Sequence, residues 1–79
     1  NLDLGKIKVK NIFKWIKSNN IDDREMLKTF NCGVGFCLIV KRGNINKIKK
    51  KFSNEYTPYE IGSISKNKNK INVYNKIKW

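Results

Sequence analysis

Between Thr29 and Phe36 the chain reads Thr-Phe-Asn-Cys-Gly-Val-Gly-Phe, neutral hydrogen-bonding groups set around two glycines. Thr29 and Asn31 offer a hydroxyl and an amide, while Gly33 and Gly35, two apart, remove side chains from one face of an extended backbone. Such a gap admits either another backbone element or a ligand. Two readings stand open: a helix end packed tightly on a strand, or a neutral ledge of Thr29, Asn31, Gly33 and Gly35 against which a substrate rests. A lone Gly-x-Gly does not make a nucleotide loop. Acid–base and metal chemistry have few carriers. The sequence holds no histidine, which excludes a His-based triad or a histidine zinc site. Its six carboxylates are Asp3, Asp22, Asp23, Glu25, Glu55 and Glu60, and no metal ligand is assigned. Asp22 and Glu25 have capping-box spacing, so satisfying free N–H groups at a helix start is their expected task. Cys32 and Cys37 are read as reduced core thiols.

The elements that position this stretch follow from periodicity. Residues 1–10 alternate apolar and polar side chains; Ile7 and Val9 suit a short half-exposed strand or an extended linker. Ile12, Phe13 and Ile16 share one face of a short helix, with Asn11 as its cap and Asn19-Asn20 as its end. Asp22 opens a second helix whose buried stripe is Met26, Leu27 and Phe30. Val34, Phe36, Leu38 and Val40 alternate with Cys37 and Ile39, a pattern apolar on both faces that predicts a central, doubly covered strand. Asn44 is placed to cap a third helix carrying Ile45, Ile48 and Phe52, with lysines 47 and 49–51 toward water. Strands at 59–65 and 70–76, joined by a polar turn at 66–69, are expected to form an antiparallel hairpin. The predicted class is α+β, a mixed β-sheet packed by helices.

Composition sets the remaining bounds. A 79-residue chain is one small domain or a piece of one, and a lone core of this size supplies only about 3–5 kcal/mol. The net charge of +12 arises from 18 basic and 6 acidic residues. Only Arg24 and Arg42 are arginine, whereas base-edge and bidentate phosphate recognition favour the guanidinium. Lys, Asn and Ile, all with A/T-rich codons, fill 39 of 79 positions, so the lysines read first as a solvated surface. A small Lys-rich nucleic-acid-binding module, using lysines 47–51 and 66–70, is the alternative function. No apolar run approaches the roughly 20 residues of a membrane span. Two cysteines are too few for a disulfide scaffold, so a cytoplasmic setting is expected.

Glu25-Met26 followed by Thr29-Phe30-Asn31-Cys32-Gly33-Val34-Gly35 resembles the motif E-M-x-R-T-F-N-[CM]-G-[IV]-G-M of the aminoimidazole ribonucleotide (AIR) synthetase family, the phosphoribosylformylglycinamidine cyclo-ligases. Ile12-Phe13-Lys14-Trp15-Ile16 and Ile61-Gly62 extend the resemblance over nearly the whole chain. Lys28 stands where the family has Arg, and Phe36 where it has Met; Lys28 keeps the charge but loses bidentate geometry.

The resemblance implies an ATP- and Mg²⁺-dependent ligase of purine biosynthesis that closes the imidazole ring of formylglycinamidine ribonucleotide, giving aminoimidazole ribonucleotide, ADP and phosphate. In that chemistry the amide oxygen, a poor leaving group, is phosphorylated and then displaced by an amidine nitrogen of the same substrate. The family's ATP machinery lies mainly in an N-terminal domain that also dimerises. Residues 1–79 are accordingly expected to be part of the C-terminal domain, inactive alone, from a homodimeric enzyme, and a first residue that is Asn agrees with a fragment. Thr29, Asn31, Gly33 and Gly35 match the family motif by position and are the candidates for the substrate-facing wall.

Overall fold

A computed structural model describes residues 1–66 and 70–79. The chain begins as a strand, β1 (Leu2–Asp3), and turns at once into a 3₁₀ turn over Leu4–Lys6. The Asp3 carboxylate drives the turn: it is buried, and it accepts from the backbone N–H of Gly5 at 3.0 Å and from Asn75 Nδ2 at 2.8 Å. Two helices follow, α1 (Asn11–Lys17) and α2 (Asp23–Thr29). The short α3 (Ile45–Lys49) and β2 (Val73–Tyr74) complete the regular elements.

The apolar stripes of α1 and α2 are used in part. Phe13, Ile16, Met26 and Phe30 face the core. Ile12 and Leu27, expected beside them, are exposed, because the core gathers around Met26 and does not extend to them. Phe13 and Phe30 pack ring to ring, 5.9 Å between centroids at 56°, within the range where a tilted aromatic pair is favourable. Met26, fully buried, is the hub of a core made with Leu4, Ile7, Cys32 and Ile77. Leu2, Val9, Ile16, Ile21, Val34, Ile61 and Trp79 pack around it. The C-terminal tail is latched onto α2 by the Trp79 indole, whose Nε1 donates to Asp23 Oδ1 at 2.9 Å, while Lys17 pairs with the same carboxylate at 3.4 Å. Trp79 thus serves in packing, and Trp15 is exposed on α1.

Several expected elements differ. Asn11 is the first residue of α1 and not its cap; Lys10 occupies the cap position and makes no side-chain bond there. The helix ends as expected, with Asn19 Nδ2 donating to the Trp15 carbonyl at 3.0 Å and Asn20 turning the chain at φ 61°. Asn44 precedes α3 without a side-chain capping bond. Ile7 and Val9 lie outside any strand, because no neighbouring strand pairs with residues 7–10 among the described residues; both still pack into or against the core.

The doubly covered strand at 34–40 is not formed. No regular structure spans these residues, and Phe36 and Ile39 are 87% and 81% exposed. An extended run becomes a strand only when neighbours take its N–H and C=O groups, and no neighbour lies beside it among the described residues. The 59–65 and 70–76 hairpin is also replaced. Residues 1–3 run between the two segments and take the bonds that a hairpin would have used. Asn1 and Ser63 exchange backbone bonds at 2.9 Å in both directions, Asp3 N donates to Ile61 O at 2.8 Å, and Leu2 N donates to Asn72 O at 2.7 Å. β1 pairs parallel with β2, Leu2 opposite Val73 and Asp3 opposite Tyr74, and bridges antiparallel to Gly62. The turn expected at 66–69 falls largely on residues 67–69, outside the described residues.

Gly62 is required at this crossing, because a Cβ there would overlap the Asn1 carbonyl, a backbone atom that cannot swing aside. Gly43, by contrast, has open space around it. Gly62→Ala should therefore destabilise by about 1–3 kcal/mol through overpacking, and Gly43→Ala should stay within about 0.5 kcal/mol of the parent. Urea unfolding followed by tryptophan fluorescence distinguishes the two; equal midpoints would contradict the central placement of residues 1–3.

Candidate functional site

The Thr29–Gly35 stretch owes its position to α2. Asp22 accepts the Glu25 backbone N–H at 2.9 Å and starts the helix; the reciprocal arm of the capping box, from Glu25 back to Asp22, is not formed among the described residues. At the other end, Phe30 leaves the helix in extended conformation while its N–H still donates to the Met26 carbonyl at 2.9 Å. The chain then reverses through two left-handed residues, Cys32 at φ 53° and Gly33 at φ 106°. Asn31 makes that reversal possible, since its Oδ1 accepts from the Gly33 N–H at 3.0 Å and its carbonyl accepts from the Val34 N–H at 3.0 Å. Asn side chains stabilise turns in this way.

The turn brings the four candidate residues together in sequence order but gives them two different surroundings. A Cβ on Gly33 would stand 3.0 Å from the Lys8 carbonyl and 3.2 Å from Lys10 Cγ, so at this position the missing side chain admits the backbone of residues 8–10. Gly35 has no atom within 4 Å of where a Cβ would stand and is exposed. Thr29 and Asn31 are exposed as well. The ledge therefore has an inner part, Gly33, that seals against the N-terminal segment, and an outer part, Thr29, Asn31 and Gly35, open to whatever approaches. The Asn31 Oδ1 is committed to the turn, which leaves its amide nitrogen as the group that can donate outward.

Cys32 is buried, and burial raises its thiol pKa above the ordinary range. Its Sγ lies 3.9 Å from the Met26 carbonyl and 3.8 Å from the Phe30 carbonyl. The thiol stays protonated at neutral pH and packs as a small hydrophobe, as its sequence position suggests. Cys37 is exposed, so its assignment to the core is corrected: the strand that would have buried one of its faces is not formed.

Three of the six carboxylates are spent on structure. Asp3 holds Gly5 and Asn75, Asp22 caps α2, and Asp23 binds Lys17 and Trp79. Among the described residues, no group of three or more Cys, Asp or Glu could hold a metal ion. These residues do not fit Mg²⁺ or a nucleotide triphosphate, which need convergent carboxylates and a phosphate cradle. An open depression of about 540 Å³ lies between Asp3, Gly5, Lys6, Asn75, Lys76, Ile77 and Lys78; it shares no residue with the ledge, and its one carboxylate is already bonded twice. No helix among the described residues is long and apolar enough to cross a membrane.

Comparison with known proteins places this geometry in context. Residues 1–74 match the family model described as "AIR synthase related protein, C-terminal domain". A relative from Methanococcus vannielii, named phosphoribosylformylglycinamidine cyclo-ligase, is 48% identical over 59 residues, which cover 71% of this chain and 17% of the relative. The chain thus spans less than a fifth of that relative's length. No solved structure matches. Sequence reasoning missed the role of Asp3; the Asp-x-Gly spacing at the chain start, which favours an Asx turn, was the available signal.

The two thiols should behave oppositely. In the folded chain alkylation at pH 8 should reach Cys37 readily and Cys32 only on unfolding, as read by peptide mass spectrometry. Because the folded-state pKa of Cys32 is raised, the native state binds more protons than the unfolded state once pH passes the ordinary thiol range. The contribution of this group to stability is therefore constant below about pH 8 and falls as pH rises beyond it. Rapid labelling of native Cys32 at pH 8 would contradict the burial.

Proposed function

The chain belongs to the AIR synthase related protein C-terminal domain family, and from that premise we propose that it is the C-terminal part of an ATP-dependent phosphoribosylformylglycinamidine cyclo-ligase. The full enzyme closes formylglycinamidine ribonucleotide to aminoimidazole ribonucleotide, with ADP and phosphate as co-products, in the cytoplasm. The observation that carries this reading is the Thr-x-Asn-x-Gly-x-Gly ledge at the exit of α2, with Thr29, Asn31 and Gly35 exposed, in a chain 48% identical to a cyclo-ligase over 59 residues. ATP and Mg²⁺ are held by the rest of the enzyme, since no group of three or more Cys, Asp or Glu converges among the described residues here. The remainder also forms the homodimer, completes the mixed sheet of the C-terminal domain and provides the N-terminal ATP-binding domain that residues 1–79 lack.

Within that enzyme the residues of this chain bind and orient. Ring closure within one molecule is favoured when the reacting nitrogen and carbon are held in near-attack geometry, which is a task of neutral, well-placed contacts. The Thr29 hydroxyl can donate or accept, and the Asn31 amide nitrogen can donate, to the amide and amidine groups of the substrate. Gly35 lets the substrate approach the backbone where a side chain would hold it away, and Gly33 fixes the turn from beneath. The Lys-rich surface gains no support as a nucleic-acid site: lysines 47 and 49–51 lie on α3 and the turn after it, with Arg42 the nearest guanidinium in sequence.

Gly35 separates binding from folding, because its surroundings are open. In the full-length enzyme Gly35→Ala should leave the melting temperature within about 2 °C of the parent and lower kcat/KM by roughly 10- to 100-fold through substrate misplacement. The isolated 79 residues should show no ATP-dependent turnover. A Gly35→Ala enzyme with kcat/KM unchanged would remove Gly35 from the substrate wall, and turnover by the isolated chain would refute the fragment reading.

A further inference from the structure

Lys8 to Lys10 form the floor under the Gly33 turn, and few contacts hold that floor in place. Ile7, just before it, is buried in the core, and the Val9 side chain packs against the same core. At its far end the Lys10 carbonyl accepts from the Phe13 N–H at 3.0 Å, in the first turn of α1. Between these anchors, residues 8 and 9 make one hydrogen bond among the described residues. The Lys8 N–H donates to the Tyr59 hydroxyl at 3.1 Å, across 51 positions of sequence. The carbonyl of the same residue stands 3.0 Å from where a Cβ on Gly33 would be. Lys8 is thus held by Tyr59 through its N–H and meets Gly33 through its C=O.

We infer that Tyr59 is a positioning residue for ring closure: its hydroxyl, through the Lys8 backbone, sets the Cys32-Gly33 turn and with it the outward-facing Asn31 and Gly35. The inference rests on the reading of the ledge as the substrate wall of a cyclo-ligase, and it gives that wall a support from the other half of the chain. Tyr59 is itself well anchored. The Lys8 ammonium lies 4.8 Å from the centroid of its half-buried ring, an attraction that holds ring and lysine together. Pro58 before it has a fixed φ, and Ile61, two residues on, accepts from the Asp3 N–H at the crossing of residues 1–3. Lys8 is exposed, so water can replace the hydroxyl as acceptor. A free water, however, does not keep the segment at a set distance from Gly33. Losing the hydroxyl therefore disturbs the placement of the ledge far more than the fold, and ring closure within one molecule is sensitive to such misplacement.

Tyr59→Phe keeps the ring and its ammonium contact and deletes the acceptor alone. The full-length variant and its parent are compared by steady-state kinetics, each substrate varied in turn, and by amide hydrogen exchange read by mass spectrometry. The melting temperature should stay within about 2 °C of the parent. The KM for formylglycinamidine ribonucleotide should rise about 3- to 10-fold, the range of one ordinary hydrogen bond, with the KM for ATP unchanged. The Gly33 and Val34 amides, both bonded to Asn31, should exchange faster by a similar factor. An unchanged KM for formylglycinamidine ribonucleotide would overturn the inference even if kcat falls, because a smaller folded fraction lowers kcat and leaves KM as it was. An equal rise in the KM for ATP, the mark of a general disturbance, would overturn it too, and so would unchanged exchange at Gly33 and Val34 whatever the kinetics. A parent enzyme without ring-closing activity sinks the proposed function, and the exchange then decides alone whether Tyr59 sets the turn.

Discussion

Asn1, Leu2 and Asp3 form backbone hydrogen bonds with residues near the other end of the chain, Asn1 with Ser63 across 62 positions and Leu2 with Asn72. Closing a loop of that length has an entropic cost that rises only slowly with its size, of order (3/2)RT ln n, but nothing local repays it. The compensation comes from what the closure assembles. With residues 1–3 in place, Leu4 and Ile7 reach the core beside Met26, and the buried Asp3 carboxylate ties Gly5 and Asn75 together. The following residues, Lys8 to Lys10, are then carried beneath Gly33. The N-terminal segment is therefore both the middle of the small sheet and the floor of the candidate site.

From that placement the local structure of the ledge follows by a short chain of causes. Asp22 starts α2, Met26 anchors it, and the helix must release the chain at Phe30 because Asn31, Cys32 and Gly33 prefer the reversal. Two consecutive left-handed residues need Gly or a residue held in place by its surroundings. Gly33 is the first kind and Cys32, buried with its sulfur against two carbonyls, is the second. The inner face is thereby sealed and the outer face is left to the polar groups of Thr29 and Asn31 and to the bare backbone of Gly35.

The first two helices were legible in the sequence because their signals are local, whereas the third stops at Lys49, short of Phe52, with no core to cover its apolar stripe. Asp22 three residues before Glu25, the Met26 and Phe30 spacing, and the Asn19-Asn20 stop all act within a turn or two of helix. The glycine pair marked the site, yet only coordinates divide Gly33, closed by residues 8–10, from Gly35, open to solvent. The sheet was illegible for a physical reason. Apolar alternation at 59–65 and 70–76 specifies strands but not their neighbour, and nothing in those segments announces that residues 1–3 come between them. The pattern at 34–40 predicts a central strand, and the structure forms none there: no backbone neighbour pairs with it among the described residues, so Phe36, Leu38 and Ile39 stand exposed.

The insertion of residues 1–3 between the two late segments is the claim from which the rest is built, and backbone distances read it directly. Strands in direct contact lie about 4.8 Å apart, so two segments separated by a third lie about 10 Å apart. Nuclear Overhauser contacts in isotopically labelled protein should join Leu2 to Gly62 on one side and to Val73 on the other, with none between residues 61–63 and 72–74. Direct contacts between those two segments, with Leu2 outside them, would contradict the account.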